Sequence, residues 1–179
     1  MKALQSVAEG DRVYVDETGC DERLQREYGW SPCGEMCVGT RLGRARKRLS
    51  VVAAWQKNGG TGNGGTGNGG TGAATTPGLI APLSFEGTCH QRLFEMWLRL
   101  MLCPLLRAGQ VVILDNARFH RKAVVQRILR RVGCRAVFLP PYSPDLNPIE
   151  QQWHSFKTRV RTYRLQGLNF EEALQAALM

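Results

Sequence analysis

Twice in this chain, an apolar run typical of a buried strand ends in an aspartate. Asp16 follows the apolar residues 13–15, and Asp115 follows the apolar residues 111–114. A carboxylate at the end of a buried strand costs free energy unless a positive partner meets it. The two runs therefore predict neighbouring strands of one sheet that bring both carboxylates together, beside a cation.

A third carboxylate lies where a helix is expected to begin. A proline-rich segment precedes it and cannot form regular structure. Asn147 then predicts the N-cap of a helix, Pro148 its first residue, and Glu150 a place in its first turn. Asp16, Asp115 and Glu150 together offer only oxygen ligands, which suits Mg²⁺ or Mn²⁺.

Each of these carboxylates also has an ordinary structural role open to it. Glu150 is the third residue after Asn147 and could complete a capping box. Asp16 could be a turn residue, and Glu17 beside it is a rival ligand. Asp115 could cap the segment that follows it. Taken one at a time, these residues leave both interpretations open.

Net charge points to a polyanionic partner. The formal charge is +9 and the isoelectric point is about 9.7. Between residues 96 and 164 the only acidic residues are Asp115, Asp145 and Glu150, whereas arginine and lysine are abundant. A positive field around isolated carboxylates favours contact with nucleic acid over a merely solvated basic surface. The substrate that suits this combination is a phosphodiester.

Further polar residues follow the second and third carboxylates closely. We expect them to orient a ligand or to contact DNA, although a histidine at a helix start is more often structural. His154, four residues after Glu150, shares its helix face. The residues of this group are Asn116, Arg118, His120, Arg121, Lys122 and His154.

The order of the apolar patterns predicts a mixed sheet flanked by helices, an α/β fold. Short apolar or alternating runs predict strands at 12–16, 35–41, 49–56, 79–85, 110–115 and 135–139. Helical periodicity predicts helices at 89–107, 121–131, from 147 to about 163, and 170–179. We expect residues 1–179 to form one domain.

A glycine-rich repeat interrupts this pattern. Three copies of Asn-Gly-Gly-Thr-Gly run from Asn58 to Gly72 and contain no apolar side chain. Such a segment cannot bury anything. We predict that residues 58–78 form a flexible insertion in the turn of a hairpin.

Cysteine usage and hydropathy favour a cytoplasmic protein without membrane contact. Six cysteines are present, and none forms a Cys-x-x-Cys pair. Reduced thiols are therefore favoured over structural zinc at Cys33 and Cys37, with Cys89 and His90 as further ligands. No signal-peptide pattern is present, and the most apolar region, 94–106, is too short to span a bilayer.

Four segments, spread over residues 12–165, resemble one known family. They are Val-Tyr-Val-Asp16-Glu-Thr, Tyr28-Gly-Trp-Ser-Pro-Cys-Gly-Glu35, Leu-Asp115-Asn-Ala-Arg-Phe-His120 and Leu139-Pro-Pro-Tyr-Ser-Pro-Asp-Leu-Asn-Pro-Ile-Glu150. The chain is similar in these segments to the catalytic domain of D-D-E transposases, in the bacterial insertion-sequence branch of the mariner superfamily. The spacing between Asp115 and Glu150 is also typical of that branch.

This resemblance implies a fold, a reaction and partners. The fold would be RNase H-like, and Asp16, Asp115 and Glu150 would be catalytic residues that hold two Mg²⁺ or Mn²⁺ ions. The reaction would be DNA strand cleavage and strand transfer during insertion-sequence transposition, at TA targets. A homodimer on paired element ends would carry it out, in association with the nucleoid.

Two features depart from the family pattern. Relatives usually carry helix-turn-helix DNA-binding domains ahead of the catalytic domain, but here Asp16 is reached almost at once. We therefore expect those domains to be absent, or supplied by a separate reading frame. The glycine-rich repeat also interrupts a hairpin that is compact in relatives. Two other functions stay open: a non-catalytic DNA-binding transposase remnant or regulator, and an RNase H-like nuclease without strand transfer.

Overall fold

A mixed sheet of five strands forms the centre of the structure, a computed structural model that describes residues 7–24, 29–38, 47–57, 79–141, 143 and 146–179. The strands are β1 (Arg12–Asp21), β2 (Arg48–Trp55), β3 (Leu79–Glu86), β4 (Val111–Leu114) and β5 (Arg135–Phe138). Their order across the sheet is β3-β2-β1-β4-β5. The first three pair antiparallel, whereas β4 is parallel to both β1 and β5.

Helices cover both faces of this sheet. They are α1 (Gln91–Trp97), α2 (Lys122–Arg130), α3 (Ile149–Leu165) and α4 (Phe170–Leu178). A π-helical turn, Leu98–Leu102, and a 3-10 turn, Cys103–Leu105, extend α1. Among the described residues, no helix is both long and apolar enough to cross a membrane.

Strand β1 has a separate hydrophobic core on each side. Val13 and Val15 pack with α1 and α2 residues such as Phe94. On the opposite face, Cys20 packs with α3 and α4 residues such as Trp153. This alternation is the ordinary period of a strand, and it sends the side chains of consecutive residues into different layers.

Most predicted elements are confirmed, but the first strand is longer than expected. It continues past Asp16 because β2 pairs with it as far as Asp21↔Arg48. Its parallel pairing with β4 stops at Val15↔Leu114. Asp16 therefore lies within β1, at the point where one of its two neighbouring strands ends. The expectation that a strand ends at Asp16 is wrong.

The strand predicted at 35–41 is also wrong over its described part, residues 35–38. These residues adopt no strand, and Met36 and Val38 are each 85% exposed. An alternating pattern forms a strand only where packing covers one of its faces, and side chains this exposed have no such packing. Residues 39–41 and the predicted insertion at 58–78 lie outside the described residues.

The start of α3 differs from the predicted cap. The helix begins at Ile149 with Pro148 at the N-cap, and no side chain caps it. The side-chain oxygen Oδ1 of Asn147 is buried without a hydrogen-bond partner among the described residues. The capping box proposed for Asn147 and Glu150 is therefore not formed, which leaves the Glu150 carboxylate free for another role.

Candidate active site

Two aspartates come together because of the register of β1 and β4. The parallel pairing of β1 and β4 ends where Val15 lies opposite Leu114. The next residues, Asp16 and Asp115, therefore lie side by side. Asp16 continues in the strand, whereas Asp115 begins a loop that leads to α2. The two side chains thus reach the same place from different backbone environments.

Helix α3 brings the third carboxylate and anchors the first. Glu150 lies in its first turn and is exposed. One turn later, the indole Nε1–H of Trp153 donates a hydrogen bond to Asp16 Oδ2 over 3.0 Å. Trp153 is not among the residues predicted from the sequence, although its spacing of three from Glu150 places both on one side of the helix.

The three carboxylates line one pocket of about 590 Å³. Two of the predicted contact residues, Asn116 and Arg118, line it as well. The other lining residues are Ala117, Leu139, Pro140, Pro141, Ser143 and Asn147. The pocket therefore combines three acidic groups with one arginine, and it is formed by β1, the loop after β4, the proline-rich segment and the start of α3.

The remaining predicted contact residues lie outside the pocket wall. His120 is buried, and its Nδ1 lies 3.0 Å from Asp115 Oδ1. Arg121 and Lys122 are exposed at the start of α2, with Lys122 Nζ 5.4 Å from the centre of the Phe138 ring. His154 is exposed on α3. Only His120 of this group contacts a candidate ligand.

Burial and negative neighbours raise the pKa of Asp16 to about 7. Burial is the largest cause, repulsion from Glu150 comes next, and Asp115 adds less. Hydrogen bonds from the Glu17 backbone and from Trp153 act in the opposite direction but are outweighed. A cation in the pocket would remove this penalty on the charged form.

The pKa of Asp115 is shifted below its ordinary value. Burial alone would raise it, but hydrogen bonds from His120 and from the Ala117 N–H favour the charged form more strongly. The Ala117 bond to Asp115 Oδ1 is 3.1 Å long. Asp115 is thus held as an anion, beside an Asp16 that ionises only near neutral pH.

Glu17, the rival ligand, points away from the pocket. Because side chains alternate along β1, it faces the α1–α2 layer and borders a separate cavity of about 210 Å³. Burial, followed by repulsion from Asp16 and Asp115, raises the pKa of Glu17 to about 8. The structure therefore separates Glu17 from the pocket that contains Asp16.

The donor set of the pocket suits a hard divalent cation. Three carboxylates from separate segments supply oxygen only, as Mg²⁺ and Mn²⁺ prefer. Within the described ranges, no group of three His, Cys, Asp or Glu side chains is already drawn together so as to hold a metal ion. Glu150 is exposed at the rim of the pocket, where it is repelled by the two aspartates. A bound cation would offset this repulsion and attract the long side chain of Glu150 inward.

Residues 71–169, more than half of the chain, match a family model described as DDE superfamily endonuclease. The matched range contains Asp115 and Glu150. No curated protein matches the chain in sequence.

Solved structures with a similar fold include complexes of the Mos1 transposase. The paired-end complex with the left transposon end has a TM-score of 0.62 and 14% identity, and covers 98% of this chain and 54% of that one. For the catalytic domain of Mos1 mariner transposase the TM-score is 0.53, the identity 13%, and the coverage 98% and 79%. The chain spans about half the length of the transposase in the first complex. The five-stranded sheet between helix layers is therefore RNase H-like, as predicted.

Proposed function

The chain belongs to the DDE superfamily endonucleases, and from this premise we propose that it is the catalytic domain of a transposase. It cleaves a DNA strand at the end of an insertion sequence and joins the freed end to target DNA. The observation that carries the proposal is the single pocket lined by Asp16, Asp115 and Glu150, which come from three separate segments. Such convergence of carboxylates is what metal-dependent phosphodiester chemistry requires.

Asp16, Asp115 and Glu150 are proposed to hold two Mg²⁺ or Mn²⁺ ions. Oxygen-only donors fit these ions, and the burial and the neighbouring Glu150 carboxylate that raise the pKa of Asp16 penalise its charged form, a penalty that a cation would offset. Paired-end complexes of Mos1 have been solved with Mn and with Mg. When bound, such ions activate the attacking oxygen and stabilise charge on the leaving oxygen.

The protein's own residues orient these ligands and attract the substrate. Trp153 holds one oxygen of Asp16, while His120 and the Ala117 N–H hold Asp115. Arg118 places a positive charge in the pocket wall, where a phosphate would approach. Hydrolysis frees a 3′-hydroxyl, which then displaces a phosphodiester oxygen of the target strand, so no side chain needs to form a bond to DNA.

DNA is the proposed substrate and partner. The net charge of +9 supports this, and Mos1 transposase has been solved with transposon ends. We propose that two copies act on paired ends in the nucleoid. We propose that helix-turn-helix domains recognise the terminal repeats. They would be either fused to this catalytic domain or made from a separate reading frame.

A cleavage and joining assay tests the proposal. Protein purified together with the helix-turn-helix domains, fused or co-expressed, is incubated with Mg²⁺ or Mn²⁺ and labelled element-end DNA, and a pre-cut 3′ end is offered with a plasmid target. We expect cleavage and joining, both abolished by EDTA and by Asp115→Asn or Glu150→Gln, with DNA binding kept. Asp21→Asn, at the end of the same strand as Asp16, is the control and should cleave normally.

The outcomes separate the alternative functions. Metal-dependent cleavage without joining would favour a nuclease of the same fold. DNA binding without cleavage would favour a regulatory remnant. Undiminished cleavage by the Asp115→Asn variant would refute the proposed ligand set.

A further inference from the structure

The imidazole of His120 lies directly behind Asp115, on the α1–α2 side of the sheet. Its side chain is 1% exposed, and its Nδ1 is 3.0 Å from Asp115 Oδ1. The ring is fixed by aromatic packing, with centroids 4.2 Å from Phe94 and 4.3 Å from Phe119. A side chain locked in this way can set the direction of the carboxylate that it contacts.

The second nitrogen of the same ring faces Glu17. His120 Nε2 and Glu17 Oε2 are 4.0 Å apart. Both atoms are buried, and within the described part of the chain neither has a hydrogen-bond partner. Buried polar atoms without partners are costly, and these two face each other.

These contacts connect the two strands that carry Asp16 and Asp115. Glu17 is the next residue after Asp16 on β1, and His120 follows β4 in the loop that starts at Asp115. The row Asp115–His120–Glu17 thus crosses from the end of β4 to β1 behind the pocket. It contacts the metal pocket only through the Asp115 carboxylate.

We infer that His120 and Glu17 form a positioning pair that holds the Asp115 carboxylate in the direction needed to bind a divalent ion. This inference rests on the proposed function, because it assigns a purpose to Asp115. With its N–H on Nδ1 donated to Asp115, the ring accepts at Nε2, and the carboxyl O–H of Glu17 limits its rotation by donating to Nε2 after a small approach. Residues that orient metal ligands commonly change metal affinity or activity about 10- to 100-fold when mutated.

A purely structural role for His120 makes a different prediction. If the ring only fills space between Phe94 and Phe119, any effect on metal binding should follow the stability of the fold. The two roles can be separated because the donor nitrogen and the aromatic ring can be removed independently.

The test uses two substitutions of His120 in the full 179-residue chain. His120→Phe keeps a ring in the aromatic stack but removes both nitrogens. His120→Asn loses the ring but keeps an N–H close to the position of Nδ1. Ile128→Val removes one methylene group from the same hydrophobic core, outside the aromatic stack, and leaves His120 and its ring neighbours intact. Manganese affinity is measured by calorimetry, the Mg²⁺ concentration for half-maximal cleavage is measured separately from kcat, and Tm reports stability.

We expect His120→Phe to weaken Mn²⁺ binding about 10- to 100-fold with little change in Tm. His120→Asn should bind Mn²⁺ better than His120→Phe although its Tm is lower. Ile128→Val should lower Tm and leave Mn²⁺ affinity close to that of the wild type. Manganese affinities that follow Tm across the three variants would overturn the inference.

Glu17→Met, which removes both oxygens from a side chain of similar length, completes the design as a double-mutant cycle with His120→Phe. If the two residues act as a pair, the double variant should bind Mn²⁺ no more weakly than His120→Phe alone. Strictly additive effects would remove Glu17 from the pair. Wild-type protein that binds no Mn²⁺ would overturn the proposed function together with this inference. Wild-type binding with an unchanged His120→Phe variant would overturn only the inference.

Discussion

Asp16 and Glu17 are consecutive carboxylates on one strand, yet they lie in opposite layers of the molecule. Asp16 faces α3, opens into the large pocket and accepts a hydrogen bond from Trp153. Glu17 faces α1 and α2, where one of its oxygens is buried opposite His120. Burial raises the pKa of both residues, to about 7 and about 8. Burial thus penalises the charged form of both carboxylates, although their surroundings differ.

The difference arises because consecutive side chains of a strand point to opposite faces of the sheet. A strand has a side-chain period of two, so a slip of one residue would exchange the two faces completely. Among the described residues, both sides have a cavity with an arginine, but only the cavity on the Asp16 side contains further carboxylates. The Glu17 side offers a neighbouring imidazole and apolar packing. One face is suited to hold a substrate, and the other to support it.

The largest expected effect comes from neutralising the two carboxylates separately. Asp16→Asn should lower DNA cleavage by several orders of magnitude, because it removes a proposed metal ligand. Glu17→Met, which removes both oxygens, should lower it by about tenfold, as for a group that acts through another residue. Single-turnover cleavage rates at saturating Mn²⁺ measure both. Equal losses in the two variants would contradict the division of roles between the faces.

Two buried tryptophans, one on each face of the sheet, offer a matched test of the division of roles between the faces. Trp153 donates to Asp16 on the pocket side, whereas Trp97 donates to the Ala81 carbonyl over 2.7 Å on the other face. Replacement of either by Phe should cost about 1–3 kcal/mol of stability, because a buried acceptor loses its donor. Only Trp153→Phe should also weaken Mn²⁺ binding, by about 10-fold or more.

Urea unfolding and calorimetric Mn²⁺ titration of both variants measure these effects. If Trp97→Phe weakened Mn²⁺ binding as much as Trp153→Phe, metal affinity would depend on general stability rather than on the Asp16 contact.

The pH dependence of stability should reveal both raised pKa values. A carboxyl group whose pKa is higher in the folded than in the unfolded protein stabilises the fold when protonated. That contribution is present below about pH 4, the ordinary range of carboxyl groups, and is lost as pH rises through about 7 and 8. Asp115, whose pKa is lowered, acts in the opposite direction and only below that range.

In EDTA, Tm should therefore fall by several degrees between pH 5 and pH 8.5. Saturating Mg²⁺ should reduce the decline, because the ion compensates ionised Asp16 but not Glu17. Asp16→Asn and Glu17→Gln should each remove part of the decline in EDTA, and only Asp16→Asn should remove the part that Mg²⁺ suppresses. A Tm that stays level or rises over this interval without metal would contradict the raised pKa values.

Local pattern was sufficient to predict the pieces of this site but not their connections. The apolar runs that end at Leu114 and the helical period after Pro148 predicted the elements that carry Asp115 and Glu150. Those signals are local, since each depends on residues within one element. The true length of β1 was not predictable in this way, because it depends on pairing with β2, from Glu17↔Val52 to Asp21↔Arg48.

The other features that were not predicted from the sequence are contacts between layers of the fold. The bond from Trp153 to Asp16 joins a helix to a strand, and the approach of His120 to Glu17 joins a loop to the same strand. No spacing within one element indicates either contact. The strand predicted at 35–41 was wrong over residues 35–38 for a related reason, since an alternating pattern forms a strand only if another part of the fold covers one of its faces.

The smallest expected effect concerns two exposed arginines on different parts of the surface. Arg118 lines the pocket, whereas Arg127 lies in the last turn of α2. If phosphate approaches the Asp16 side, Arg118→Ala should weaken DNA binding a few-fold and reduce the slope of log affinity against log salt by about 0.9, the value of one lost phosphate contact. Arg127→Ala, matched in charge, should change that slope by less. Fluorescence anisotropy with labelled duplex at several salt concentrations measures both slopes. A larger change of the salt slope for Arg127→Ala than for Arg118→Ala would place the bound DNA along α2. It would contradict the proposal that the substrate binds on the pocket side.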